Sequence, residues 1–240
     1  MRAVTFDFWW TLFRDRDSEL RHALRAEALA DAAGVPEEDA SQALRAAMAE
    51  FARVHIAEQR TLGPLDAVDF AASLLGVAVA EEKRAPLAER FASVILEHPP
   101  VPVEGALDAV RAVAARMPAG LISDTGISPG KSLRVLLERN GFLPHLRCLT
   151  FSDEVGVAKP QSAMFARTAN ALGVDVTDIL HVGDLEPTDI AGIQSLGGRG
   201  GLFTAVNDRY AAETRAEYLF TSWATFLDWL DATETSTDSL

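Results

Sequence analysis

Four short stretches of this 240-residue sequence carry side chains that could do chemistry together. Asp7 follows the apolar run Ala3-Val4-Thr5-Phe6. Ser123, Asp124 and Thr125 follow Leu121-Ile122. Lys159 precedes Pro160, and Asp184 follows Gly183 with Asp189 five residues on. Asp184 and Asp189 together suit a hard cation that takes oxygen ligands, although either acid could equally cap the helix after it. Lys159 offers a compact positive charge whose proton affinity responds to its surroundings, which arginine does not. Asp7 and Ser123, taken singly, read as readily as caps of strand-end turns. The formal net charge is -13, so an anionic ligand would need a locally positive place against the overall field. The same field opposes nucleic acid and anionic membrane surfaces as partners.

Hydrophobic periodicity shows what would position these residues. Short apolar, β-prone runs at 3–8, 119–123, 147–151, 179–183, 200–203 and 218–220 read as strands, most of them separated by amphipathic helices. That alternation predicts an α/β fold with a doubly wound, Rossmann-like parallel sheet. From about Asp17 to His98 the strand signal disappears. Helices are expected from Ser18 to Gly34, from Pro36 onward, over Pro64–Leu75, and from Pro86 to Glu97. The domain expectation is therefore a core of residues 1–14 and 99–240 with an inserted all-helical domain of residues 15–98. His98-Pro99-Pro100-Val101-Pro102 reads as a stiff linker, and the polar tail Thr233–Asp238 as frayed. In such sheets ligands bind beyond the carboxyl ends of the strands, and each candidate residue ends a strand or lies in the loop after one. Composition is ordinary for a globular protein, 48% hydrophobic and 24% charged. The single cysteine, Cys148, excludes an internal disulfide and a Cys-based metal cluster. With no signal-peptide pattern and no apolar run long enough to span a membrane, a cytoplasmic location is expected.

Taken in order and strand context, the four stretches resemble the motifs of the haloacid dehalogenase-like hydrolase superfamily. Asp7-Phe8-Trp9-Trp10-Thr11-Leu12 is similar to its Asp-x-Asp-x-Thr motif, Ser123 to its strand-ending Ser or Thr, Lys159-Pro160 to its lysine before a helix, and Gly183-Asp184…Asp189 to its Gly-Asp with a second acid. The helical insertion matches the cap that many members carry between the first two motifs. One of only three lysines in the chain falls at the motif position. The resemblance implies that Asp7 is a nucleophile forming a covalent aspartyl intermediate, with Lys159 and Ser123 as catalytic partners. It implies Mg²⁺ held by Asp7, the Trp9 carbonyl and Asp184, with Asp189 completing the metal set by orienting a water. It also implies a small phosphorylated substrate bound by Ser123, Lys159 and the backbone N–H groups of Asp124 and Thr125, under a cap that closes over the site.

One departure stands out. Phosphatases of the family use the second aspartate of the first motif as general acid and base, and here that position is Trp9. An indole cannot protonate an alkoxide leaving group, so weak activity toward such substrates is expected. Two alternatives follow: carbon–halogen hydrolysis, where halide leaves unprotonated, and a non-catalytic binding protein that keeps the fold. The family's dehalogenases carry Ser-Asn where this chain has Gly183-Asp184, which favours the phosphatase-like reading. Lys83, the only lysine in the insertion, carries no sign of burial. His22 and His55 read as surface histidines of the insertion or as histidines satisfied by a neighbour.

Overall fold

The four residues Ala3–Phe6 form strand β1, and all are buried because the strand has a neighbour on each side. Alternation along it separates two cores. Val4 and Phe6 face a layer that includes Val110, Leu133, Trp223 and Phe226. Ala3 faces Met164, Phe165, Ile179 and Ile193 on the other side. The structure is a computed structural model that describes residues 1–235. The first residues of the expected frayed tail close the last helix; the rest lie outside the described residues.

The chain runs from β1 through β2 (Phe13–Arg14) into helices α1 (Ser18–Ala33), α2 (Glu37–Glu58), α3 (Pro64–Leu75) and α4 (Glu81–Glu97), then returns through β3 (Val101–Pro102). It continues as α5 (Ala106–Ala114), β4 (Ala119–Ser123), α6 (Gly130–Arg139), β5 (Cys148–Phe151), α7 (Ser152–Val155), α8 (Ser162–Leu172) and β6 (Ile179–Gly183). The remainder is α9 (Ala191–Gln194), β7 (Arg199–Phe203), β8 (Tyr218–Phe220) and α10 (Trp223–Thr235). Six strands form one sheet in the order β5-β4-β1-β6-β7-β8, and every pair is parallel. The chain builds outward from β1 to β5, then crosses back to β6 on the other side of β1. The reversal leaves a crevice at the carboxyl ends of the central strands.

Helices α1 to α4 have an apolar core of their own, with Leu29, Leu44, Val68, Leu87 and Phe91 at its centre. Helix α1 stops where Gly34 takes a left-handed conformation (φ 70°) that lets its N–H reach the Ala30 carbonyl. Among the described residues no helix is long and apolar enough to cross a membrane.

Three local expectations change. Helix α4 begins at Glu81, one turn ahead of Pro86, which therefore lies inside it. Glu81 and Glu82 favour the positive helix start, and the missing proline N–H costs one bond, to the carbonyl of exposed Glu82. The expected linker at Pro99–Pro102 is partly a strand, since Val101 and Pro102 pair antiparallel with Arg14 and Phe13. The helix expected over 187–197 opens instead with a wide π turn, Glu186–Ile190, before the short α9.

Candidate active site

The end of β1 is tied to β6 by the Asp7 N–H, which donates to the Val182 carbonyl at 2.9 Å. The chain then folds back tightly, with the N–H groups of Leu12 and Phe13 both donating to the Phe8 carbonyl. Phe8 stacks on Phe13 with ring centroids 4.4 Å apart. This loop leaves the Asp7 carboxylate almost wholly buried, 5% exposed. It also sets Trp9 and Trp10 in the wall of a cavity of about 670 Å³.

Lys159 reaches Asp7 from the loop after α7. Its buried Nζ donates to Asp7 Oδ1 at 2.7 Å, to Asp189 Oδ1 at 2.6 Å and to the Ile122 carbonyl at 3.1 Å. All three ammonium protons are thereby used. Burial alone would lower the proton affinity of Lys159, but the Asp189 and Asp7 carboxylates overcome it and hold the lysine charged, above its usual pKa. Asp189 is likewise held below the usual carboxylate range, because Lys159 and a hydrogen bond from His181 outweigh the cost of burial. Asp7 moves the other way. Burial, with the charges of Asp189 and Asp184 nearby, raises it well above the usual value despite Lys159. Asp184 accepts from Asn207 Nδ2 at 2.6 Å and is pushed up to about 7, by burial first and by Asp189 next. Three buried acids thus face one lysine, and burial, with repulsion between the acids, makes two of them resist ionisation.

The fold brings together most of what the sequence singled out. Asp7, Asp124, Thr125, Lys159, Asp184 and Asp189 all line the one cavity, and Trp9 joins them with its ring edge-to-face on Phe8 at 5.1 Å. Ser123 is fully buried behind this wall, and its hydroxyl reaches the Asp124 carbonyl at 3.2 Å. One assignment changes. The Thr125 N–H is already committed to Ser152 Oγ at 2.8 Å, so it is not a free donor for a bound anion. Asp189 is also tied to the lysine and the π turn, Oδ1 accepting from Lys159 and His181 and Oδ2 from the Leu185 N–H, with acceptor capacity left on Oδ2.

A model of the haloacid dehalogenase-like hydrolases matches residues 1–197. The chain belongs to this family. Pyrimidine 5'-nucleotidase YjjG of Escherichia coli is 35% identical to this hydrolase over 92 residues, 38% of this chain and 40% of that one. Haloacid dehalogenase-like hydrolase domain-containing protein 3 of Danio rerio is 35% identical over 70 residues, 29% of each chain. The matched region thus spans well under half of either curated relative. Among solved structures, a phosphatase of the family from Thermococcus onnurineus superposes with a TM-score of 0.70 at 19% identity, covering 96% of this chain and 98% of that one. The magnesium-bound hydrolase YfnB of Bacillus subtilis gives 0.67 at 17%, covering 95% and 98%. L-2-haloacid dehalogenase of Xanthobacter autotrophicus gives 0.60 at 17%, covering 96% and 98%. At these identities the likeness is one of fold.

Residues that the motifs did not reveal complete the hydrolase's site. His181, fully buried on β6, lies between Asp189 Oδ1 (3.0 Å from Nε2) and Thr5 Oγ1 (2.9 Å from Nδ1). Burial keeps the ring neutral, so Nε2–H donates to the carboxylate and Nδ1 accepts from the threonine. A histidine inside an otherwise apolar strand was the available signal. His55 is a satisfied histidine, reaching from α2 to Asp124 Oδ2 at 2.9 Å, and it also lines the cavity. His22 lines it too, bonded to Ser41 Oγ at 2.9 Å.

Gly183 is required by crowding. A Cβ built there would stand 2.3 Å from Asp189 Cγ. Gly183→Ala is expected to push Asp189 off Lys159 and to destabilise the protein by about 1–3 kcal/mol, the usual cost of overpacking. Thermal unfolding should show a Tm lower by several degrees; an unchanged Tm would mean that the strand end yields freely.

Proposed function

We propose that this hydrolase is a Mg²⁺-dependent phosphohydrolase that acts on small phosphorylated compounds through an aspartyl-phosphate intermediate at Asp7. The observation that carries the reading is the surplus of buried carboxylate: Asp7 and Asp184 share one cavity wall with a lysine that Asp189 already neutralises. A cation resolves that surplus. The donors fit Mg²⁺, being the Asp7 and Asp184 carboxylates and the Trp9 carbonyl, all hard oxygens. Among the described residues no group of three or more His, Cys, Asp and Glu is arranged to hold a metal. With two carboxylates and one carbonyl as donors, the site would stay open to water and phosphate oxygens, as Mg²⁺ sites commonly are. Thr188 fits as well, because its buried hydroxyl in the same wall has no hydrogen-bond partner in the protein.

Lys159 fixes Asp7 by Oδ1, which leaves Oδ2 to attack phosphorus in line. The new O–P bond forms as the bond to the leaving oxygen breaks, and that oxygen keeps the electron pair. Water then attacks the aspartyl phosphate, releasing phosphate and restoring the carboxylate. The ammonium of Lys159 would balance charge on the transferring group, while Ser123, buried behind the wall, would hold the Asp124 carbonyl. Bound Mg²⁺ would supply electrostatic stabilisation of the phosphoryl oxygens. The helical bundle, joined to the sheet by β2 and β3, would act as the cap, roofing the cavity and excluding water when closed.

Calorimetry is expected to show Mg²⁺ binding that Asp184→Ala nearly abolishes. Asn207→Ala, which removes only the amide held against Asp184, should weaken it by the ~10–100-fold typical of a ligand's hydrogen-bonding neighbour. Phosphate release from an acyl or aryl phosphate should require Mg²⁺. Halide release from 2-chloropropionate without metal would transfer the chain to the dehalogenases, and neither activity would make it a binding protein.

A further inference from the structure

One cation in the cavity wall, among the described residues, makes no ion pair. Arg25, on α1, is 7% exposed and lines the cavity. Its Nε donates to the Phe91 carbonyl at 2.9 Å and its Nη2 to Ser128 Oγ at 3.3 Å, and neither partner is charged. The other cations of this wall are matched: Arg21 with Asp15, Arg45 with Glu19, and Lys159 with Asp7 and Asp189. Among the described residues no carboxylate is paired with Arg25, and Nη1 has no partner. Burial and then the proximity of Arg21 lower its pKa to about 10, with Asp15 opposing them in part, so at neutral pH the charge persists. A buried charge is costly unless it is paired, and the one acid that acts on Arg25, Asp15, is paired with Arg21 instead.

We propose that Arg25 and Ser128 bind a carboxylate of the substrate, so that the substrate is a phosphorylated acid with its phosphoryl end at Asp7 and its carboxylate under α1. The inference rests on the phosphohydrolase reading above. With Nε and one Nη2 proton used, the outer edge of the guanidinium remains, and that edge pairs two N–H groups with two carboxylate oxygens. Ser128 Oγ accepts from Arg25, which leaves its own O–H to donate to the same carboxylate. A carboxylate, carrying one charge, matches the single unpaired cation. A second phosphoryl group would bring more charge than the wall can balance, because Arg21 is already held by Asp15 and by the His98 carbonyl. The cavity is common to Arg25 and Asp7, so one small molecule can touch both.

The alternative is a strut, with Arg25 merely tying α1 to α4 and to the loop after β4. Calorimetry with Mg²⁺ present separates the two. Carboxyalkylphosphonates with one to four methylenes would be compared with alkylphosphonates of equal length. The wild type is expected to prefer the carboxylate series by about tenfold or more at one chain length, the scale of a charge-assisted hydrogen bond. Arg25→Gln should bring that ratio to near one, and Arg25→Lys should restore part of it. If Arg25→Gln fails to fold, Ser128→Ala, which keeps the arginine and its Phe91 bond, should still lower the ratio several-fold. Binding of alkylphosphonates with no carboxylate preference, or a preference that survives these substitutions, overturns the subsite and leaves the phosphoryl site standing. Arg25-dependent binding of simple dicarboxylates without any alkylphosphonate binding supports the subsite and overturns the phosphohydrolase reading. Binding of neither series overturns both.

Discussion

Asp7→Asn is expected to remove turnover while leaving the protein as stable as before, or more so. The amide has the shape of the carboxylate but cannot form the acyl phosphate, and loss of a nucleophile in covalent enzymes costs on the order of 10⁴–10⁶ in kcat. Removing one member of a buried ion pair ordinarily costs ~3–5 kcal/mol. Here the lysine does not lose its only partner, because Lys159 keeps Asp189 at 2.6 Å. Asp7 is itself held above its usual pKa by burial and by two neighbouring acids, so replacing it relieves repulsion. Steady-state kinetics and thermal unfolding on the same preparation test both halves. Retention of more than about a tenth of wild-type kcat, against so large an expected loss, would take Asp7 out of the nucleophile's role. A marked fall in Tm would mean that Lys159 depends on Asp7 more than on Asp189.

The second large effect concerns the leaving group. Trp9, which the motif resemblance sets at the acid's position, lines the cavity, and its ring packs against Phe8 and the sheet core. No proton comes from that position. Aryl and acyl phosphates, whose leaving groups depart as stabilised anions, should turn over. Alkyl phosphates should be slower by the ~10²–10⁴ that general acid catalysis is worth. A plot of log kcat/KM against leaving-group pKa should therefore be steep. A flat plot, with chemistry shown to be rate-limiting, would mean that another group supplies the proton. His55 would be the first to test, since its ring reaches the cavity from α2 and is already held by Asp124. Trp9→Asp is the weaker experiment, because it also removes an aromatic ring from the packing of the loop.

Legibility in the sequence followed the range of the interactions. β4 and β6 have the expected ends, 119–123 and 179–183, because each is an apolar run stopped by a polar residue. The candidate side chains were equally visible, since the parallel sheet places every residue that follows a central strand at one edge. Interactions between distant segments were not visible. His181 is read correctly only when Thr5, 176 residues away, lies beside it. Asn207 reaches Asp184 from a loop with no motif of its own, and His55 meets Asp124 across 69 residues. Pro86 misled for a local reason, since proline more often starts a helix than interrupts one.

The pairing of β2 with β3 has an evolutionary reading. Arg14 and Val101 are direct neighbours in an antiparallel ribbon, so the long excursion between them departs and returns through a doorway one strand spacing wide, roughly 5 Å. A tight turn grafted across that doorway would close the ribbon as a hairpin without disturbing the register of β1. The excursion is therefore exchangeable as a block. Recombination at this one place can swap the roof, including Arg25 and His55, while Asp7, Lys159, Asp184 and Asp189 remain in the frame that stays behind. With the proposed roles, ligand preference and bond-breaking machinery would be inherited separately in such a chain, and a lineage could change what it accepts without relearning how to react with it.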